Sequence, residues 1–187
     1  MSMTLAFLAG ALLLSAALWR ANRRHIGFSA QKPADYRASG PQFDLREHLA
    51  GPMICEGVIY GPTGRVVSRF IGDFEGTWDG NKGHLRECFR YDSGTKQERN
   101  WYLTAHNDGS FDVEAADVVG TGRGVVEGSA VQLQYAIKLQ DAAGGHVLQA
   151  TDWMYLLDNG TIVNRSQMRK FGIKVAELVA TIRRKEA

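Results

Sequence analysis

Turns centred on glycine recur six times between residues 79 and 160. Asn, Asp and Gly tolerate the positive φ angles that tight hairpins require, and the segments between these turns have the composition of β-strands. Turns at such regular intervals predict an antiparallel meander. The six turns are Asp79-Gly80, Asp92-Ser93-Gly94, Asn107-Asp108-Gly109, Glu127-Gly128, Gly144-Gly145 and Asp158-Asn159-Gly160.

A meander of about eight strands usually closes into a barrel, because closure removes the exposed sheet edges. We therefore predict an all-β fold, a single antiparallel up-and-down β-barrel of about eight to ten strands. The final segment, 173–183, could instead be a short helix. The predicted strands are 54–60, 65–78, 83–91, 96–106, 110–119, 122–127, 130–141, 146–157, 161–170 and 173–183.

The composition narrows the function classes. The net charge is +2 and the basic residues are spread over many strands, which argues against a nucleic-acid partner. The two cysteines, Cys55 and Cys88, have no spacing typical of a zinc site, and we expect no metal and no cofactor. They could form a disulfide in an oxidising compartment or remain two reduced thiols.

The N-terminus differs from the rest of the chain. Residues 1–19 contain no charged side chain, and nineteen residues of helix reach about 28 Å, enough to cross a thin bilayer. Trp19 suits the membrane interface, and Arg20, Arg23 and Arg24 follow it. No basic residue precedes the apolar run, so an uncleaved anchor is favoured over a signal peptide or a buried helix. The arginines favour a cytoplasmic barrel, with a periplasmic barrel as the alternative.

The chain therefore divides into three parts. Residues 1–19 are predicted to be a membrane anchor, residues 20–53 a tether and lead-in segment, and residues 54–187 the barrel. Prolines at 33, 41 and 52 interrupt any long element in the lead-in, where residues 43–49 could form a short helix.

Strand 83–91 carries a carboxylate on its apolar face. Leu85, Glu87, Phe89 and Tyr91 alternate with polar residues, so Glu87 is expected to point into the barrel. A three-residue loop at 92–94 places Glu87 opposite Arg99 and Leu85 opposite Trp101. This predicts a contact between Glu87 and Arg99, either as a polar anchor for a ligand head group or as an ion pair that fixes the register.

A second candidate constellation lies in the hairpin formed by 151–155 and 164–168. The same loop type at 158–160 places Trp153 opposite Arg165, which could give a cation–π contact, and Asp152 opposite Ser166. An apolar surface with a few polar groups is typical both of a small-molecule pocket and of an ordinary barrel interior. The face that carries Asp152 also holds Met154, Asn164 and Met168.

Residues 117–124 contain three alternating glycines after Asp117. A dinucleotide loop would need a following helix, and none is predicted here, so bulges or a sharp bend in the barrel are the better interpretation. Glu87, Asp117 and Asp152 could serve acid–base catalysis, but nothing in their spacing brings them together. An enzyme is therefore not the favoured interpretation.

Several blocks of the chain, in order, resemble a bacterial family, domain of unknown function 3833 (DUF3833). This lipocalin-like group, whose members are often described as lipoproteins, implies a calycin-type barrel for residues 43–183 and offers no catalytic residues to transfer. Its members often neighbour fatty-acid-modifying enzymes, which implies a lipid ligand. The blocks are Glu87-x-Phe89-x-Tyr91-Asp92-x-Gly94, Arg99-x-Trp101, Asp117-Val118-Val119-Gly120-x-Gly122-x-Gly124, Asp152-Trp153-Met154-Tyr155 and Asn164-Arg165-x-x-Met168-x-Lys170-Phe171-Gly172.

The chain departs from the family's lipoprotein pattern at one place. Acylation needs a cysteine just after the apolar run, and the first cysteine here is Cys55. We therefore expect a single-pass anchor in the bacterial inner membrane instead of a lipid anchor.

These observations predict a membrane-tethered protein that binds a lipid or a fatty-acid-like amphiphile and could assist a lipid-modifying enzyme. The alternative is a scaffold whose barrel is filled by side chains and whose protein partners dock outside. A less favoured alternative is an enzyme that acts on lipid through Glu87 and Asp152. The candidate ligand-binding residues are Glu87, Arg99, Trp101, Asp117, Asp152, Trp153, Met154, Asn164, Arg165 and Met168.

Overall fold

The structure is a computed structural model that describes residues 3–140 and 144–186, with the backbone alone at 22–24. The chain separates into two compact units, one ending at Asp35 and the other beginning at Tyr36. The first contains the N-terminal helix and the second contains the β-sheet.

The first unit is built on helix α1, Met3–His25, which extends beyond the predicted 1–19 segment. Its stretch Met3–Ala21 has a mean hydropathy of 1.6 and is long enough to span a membrane. Short 3₁₀ turns follow at Phe28–Ala30 and Pro33–Tyr36. The side chains of Arg23 and Arg24, on which the expected orientation partly depends, lie outside the described residues.

The second unit is a closed antiparallel barrel of ten strands, in which each strand pairs with its neighbours in the chain and β1 pairs with β10. This confirms the predicted fold, and the final segment is a strand. The strands are β1 Gly51–Tyr60, β2 Val66–Asp79, β3 Lys82–Tyr91, β4 Lys96–Ala105, β5 Ser110–Glu114, β6 Gly122–Glu127, β7 Ala130–Lys138, β8 Val147–Leu156, β9 Ile162–Lys170 and β10 Ile173–Arg184.

Two turns set the register as predicted. At 92–94 the Tyr91 amide donates to the Thr95 carbonyl over 3.0 Å, and Glu87 lies opposite Arg99. At 158–160 the Leu157 amide donates to the Thr161 carbonyl over 2.9 Å. Both glycines that end these loops have positive φ angles, as a left-handed closing residue requires.

The prediction of one strand over 110–119 is wrong in its second half. Strand β5 ends at Glu114, and the Val118 amide turns back to donate to the Ala115 carbonyl over 3.0 Å. The segment 117–119 then bonds to the end of β7, where the Lys138 amide donates to the Asp117 carbonyl over 2.8 Å. Strand β7 is longer than β6, so its last residues have no partner in β6. The segment 117–119 pairs with them instead.

The glycines of strand β6 are required by the packing inside the barrel. A Cβ atom on Gly124 would overlap the ring of Phe111, which is 1% exposed. The aromatic ring fills the space that a side chain on β6 would need. Gly122 and Gly124 therefore reflect close packing and not a nucleotide-binding loop.

A short helix closes one end of the barrel. Helix α2, Leu45–His48, begins at Asp44, whose side chain accepts the Arg46 amide over 2.8 Å. The indole nitrogen of Trp78 donates to the Leu49 carbonyl over 3.1 Å. A Cβ on Gly76 would clash with that same carbonyl, so the lead-in lies directly on the backbone of β2.

Candidate functional site

A cavity of about 130 Å³ occupies the barrel interior. Its wall is largely aliphatic and aromatic because the inward-pointing positions of the strands alternate with polar outward positions. Leu45 and Leu49 of the lead-in contribute to it from the closed end of the barrel. The polar side chains that line the cavity are Glu87, Arg99, Tyr135, Asp152, Asn164 and Ser166.

Arg99 forms the best-defined polar contact beside the cavity. Its Nε donates to Oδ2 of Asp117 over 3.0 Å, and its Nη2 donates to the same oxygen. Its guanidinium carbon lies 5.3 Å from the centre of the Trp101 ring. The loop 115–121 thus places Asp117 beside the guanidinium of Arg99 on strand β4.

The predicted contact between Glu87 and Arg99 is wrong, although their strand register is right. Within the described residues Glu87 has no ion-pair partner, because Arg99 is paired with Asp117. The Asp117 side chain is 27% exposed, whereas Glu87 is 8% exposed as a residue. An ion pair with the more exposed carboxylate carries a smaller desolvation cost, so Asp117 is the better partner for the guanidinium.

Glu87 is a buried acid with a raised pKa. Burial raises the pKa of its carboxyl to about 7, and the nearby charge of Arg99 and a hydrogen bond from Trp101 only partly offset that shift. The carboxylates of Asp152 and Asp117 raise the same pKa further. The structure therefore brings together three acids whose sequence spacing gave no sign of proximity.

Asp152 is the second buried acid. Burial raises the pKa of its carboxyl. Hydrogen bonds with the hydroxyls of Ser166 and Tyr135 lower that pKa but only partly offset the effect of burial. Its Oδ1 is buried and has no hydrogen-bond partner among the described residues, and neither has Oδ1 of Asp117. Buried oxygens without donors are rare in folded proteins and call for an explanation.

Trp153 and Arg165 lie on the outer face of the barrel, away from the cavity. Trp153 is 1% exposed because it packs against Tyr36 of the lead-in, with ring centres 5.4 Å apart. Arg165 forms an ion pair with Glu177 over 2.7 Å. The structure therefore does not bring these two candidates to the cavity wall, and a cation–π contact between them stays a prediction.

The remaining candidates lie around the cavity, and their role in ligand binding stays a prediction. Met154, Asn164, Met168 and Trp101 line it, and Asp117 lies behind Arg99. Sequence reasoning missed Tyr135 as a member of this site. Tyr135 lies opposite Ala150 and reaches Asp152 only diagonally, so strand pairing alone does not indicate their contact. Ser166 was placed opposite Asp152 by the turn at 158–160 but was not recognised as part of the site.

Both cysteines are free thiols. Cys55 is buried and lines the cavity, whereas Cys88 alternates to the outer face of β3. Within residues 3–140 and 144–186, no group of three His, Cys, Asp or Glu side chains is arranged to hold a metal ion.

A closed ten-stranded antiparallel barrel with an apolar cavity and polar groups inside has a lipocalin-like, calycin-type fold. The similarity of its sequence to a known family is more specific than this likeness of fold. Residues 24–184 match the family described as protein of unknown function (DUF3833), and the chain belongs to that family. No curated protein matches the sequence significantly.

Solved structures share the fold at low sequence identity. The S-type phycobiliprotein lyase CPES from Guillardia theta has a TM-score of 0.54 and 9% identity, covering 76% of this chain and 92% of its own. Rv2717c from M. tuberculosis has a TM-score of 0.55 and 16% identity, covering 75% of this chain and 94% of its own. Identities this low support the shared fold and no shared activity.

Proposed function

We propose that this protein is a membrane-tethered binding barrel for a small lipid-like amphiphile. The ligand's apolar part occupies the barrel cavity, and its polar end meets the acids on the cavity wall. A protein of this kind could present its ligand to a lipid-modifying enzyme.

The buried acids carry this proposal. A barrel that serves only as a scaffold gains nothing from Glu87 and Asp152 in its interior, because burying a carboxyl group lowers stability unless it is fully hydrogen-bonded. Asp152 Oδ1 lacks such a partner within the described chain. A ligand that donates to it would satisfy the group and explain why an acid stands in an otherwise apolar wall.

The N-terminal helix supports the membrane part of the proposal. The stretch Met3–Ala21 is compatible with an anchor and with a signal sequence by length and hydropathy. An anchor would hold the barrel beside a reservoir of amphiphiles, which raises the local ligand concentration.

The size of the cavity favours the second candidate, a side-chain-filled scaffold. Its volume of about 130 Å³ is below the range of about 300–1,000 Å³ found for pockets that hold drug-sized ligands. A cavity of about 150 Å³ holds a benzene molecule, so in this conformation the barrel accommodates only about six carbon atoms. The proposed ligand is therefore short or inserts only one end.

Native mass spectrometry of the full chain, extracted in detergent, separates the two candidates. A binding barrel retains a small molecule at one copy per chain. Met154→Trp places a large ring in the cavity and should abolish the adduct, whereas Gln149→Trp, on the exposed face of the same strand, should retain it. A folded wild-type chain that carries no adduct supports the scaffold.

A further inference from the structure

Two acceptor oxygens near the cavity have unused hydrogen-bonding capacity. Oδ1 of Asp117 and Oδ1 of Asp152 are buried without a partner in the described part of the chain. An acceptor oxygen is satisfied only by an N–H or O–H donor. A ligand carboxylate has no donor to offer, whereas an alcohol or an amine has one or more.

The charges around the cavity point in the same direction. Arg99 is the only basic side chain on the described cavity wall, and its Nε and Nη2 are both engaged with Asp117. The two acids of the wall, Glu87 and Asp152, have no ion-pair partner in the described chain. When these acids are ionised, they repel a ligand carboxylate and attract a ligand ammonium.

We infer that the polar end of the ligand is a hydrogen-bond donor, and that an alkylammonium group is preferred to an alkylcarboxylate. This inference rests on the proposed binding function and deepens it by assigning the class of head group. It departs from the fatty-acid-like ligand that the family resemblance implies.

The protonation of the site supports this assignment. Burial and the neighbouring acids raise the pKa of Glu87, so part of its population carries a proton near neutral pH. A bound ammonium favours the ionised carboxylate and displaces that proton, so its affinity rises as the pH rises through about 7. A bound carboxylate has the opposite dependence.

Methyl spectra of the methionines provide a direct measurement. The chain has five methionines, of which Met154 and Met168 line the cavity and Met3 lies in helix α1. The full chain, labelled with [methyl-¹³C]methionine in detergent micelles, is titrated with hexylamine, 1-hexanol and hexanoate at pH 8. These probes share one short chain, and the Met3 signal reports their partition into the micelle.

We expect hexylamine to shift the Met154 and Met168 signals at a concentration at least tenfold lower than hexanoate, with hexanol between them. Asp152→Asn should reduce the ratio of hexylamine to hexanol affinity by about tenfold, since it removes one acid and keeps the shape of the side chain. Tighter or equal binding of hexanoate would overturn the inference and leave the binding function standing. Shifts confined to Met3 with all three probes would overturn both.

Discussion

At the scale of single residues, the barrel places its acids in different environments. Asp117 lies near the surface and pairs with Arg99, whereas Glu87 and Asp152 lie deeper without a cationic partner in the described chain. Burial favours the neutral form of a carboxyl group, and an adjacent guanidinium favours the charged form. The burial of each acid and its access to a cationic partner thus determine its chemistry.

Glu87 should make the stability of the protein fall as the pH rises. Its pKa is about 7 in the folded chain and near 4.5 when unfolded, so between these values the folded state binds more protons. The free energy of unfolding should therefore decrease by about 2–3 kcal/mol from pH 4.5 to pH 8. Glu87→Gln should flatten this dependence and stabilise the chain at pH 8, as measured by urea denaturation at several pH values. An unchanged slope in the variant would contradict the assignment.

The Arg99–Asp117 pair should contribute more to stability than any exposed pair. Asp117→Asn leaves a guanidinium that is only 16% exposed without its carboxylate, and should lower the free energy of unfolding by about 2–4 kcal/mol. The matched control is Glu98→Gln, whose partner Arg86 is 53% exposed. Its effect should lie near the experimental error, because solvent screens such pairs. Equal losses in both variants, measured by urea denaturation, would show that Asp117 acts no differently from a surface acid.

At the scale of the elements, tight turns determined how much the sequence could predict. The turns at 92–94 and 158–160 fix the register of their hairpins, so Glu87 was placed opposite Arg99 and Asp152 opposite Ser166. Residues 115–119 were taken as the second half of a strand because their pattern suits either state. The course of this segment depends on hydrogen bonds with β7, a distant partner that no local pattern reveals.

The turn between β9 and β10 stores strain in its first residue. Phe171 and Gly172 form a two-residue loop with φ angles of 51° and 78°, a geometry that favours Asn-Gly. Phe171→Asn should raise the free energy of unfolding by about 0.5–1 kcal/mol, since a bulky side chain is disfavoured at positive φ. Gly172→Ala in the same loop should lower it by about 1 kcal/mol. Both are measured by urea denaturation, and a loss of stability in Phe171→Asn would contradict this account of the turn.

At the scale of the whole molecule, the chain combines an apolar helix with a closed barrel. The apolar run indicated the helix and the regularly spaced turns indicated the barrel, because each signal extends over many residues. They do not determine the side of the membrane on which the barrel lies. That question depends on the arginines that follow residue 19.

Arginine resists translocation, so the barrel should remain in the cytoplasm. The test uses Ser93→Cys, in an exposed turn of the barrel, with Cys55→Ala and Cys88→Ser removing the native thiols. A membrane-impermeant maleimide should label this residue only after lysis of spheroplasts. Ser2→Cys in the same background is the reciprocal control and should react in intact spheroplasts. Labelling of Ser93→Cys in intact spheroplasts would place the barrel in the periplasm.

The central claim is that an amphiphile enters the barrel, and photolabelling tests it most directly. The full chain in detergent is irradiated with a short alkylamine that carries a diazirine, and the modified residues are mapped by mass spectrometry. We expect modification on the cavity wall, at Met154 and Met168, and competition by excess hexylamine. Modification confined to helix α1 and to outward-facing residues such as Gln149, with no competition, would contradict the account.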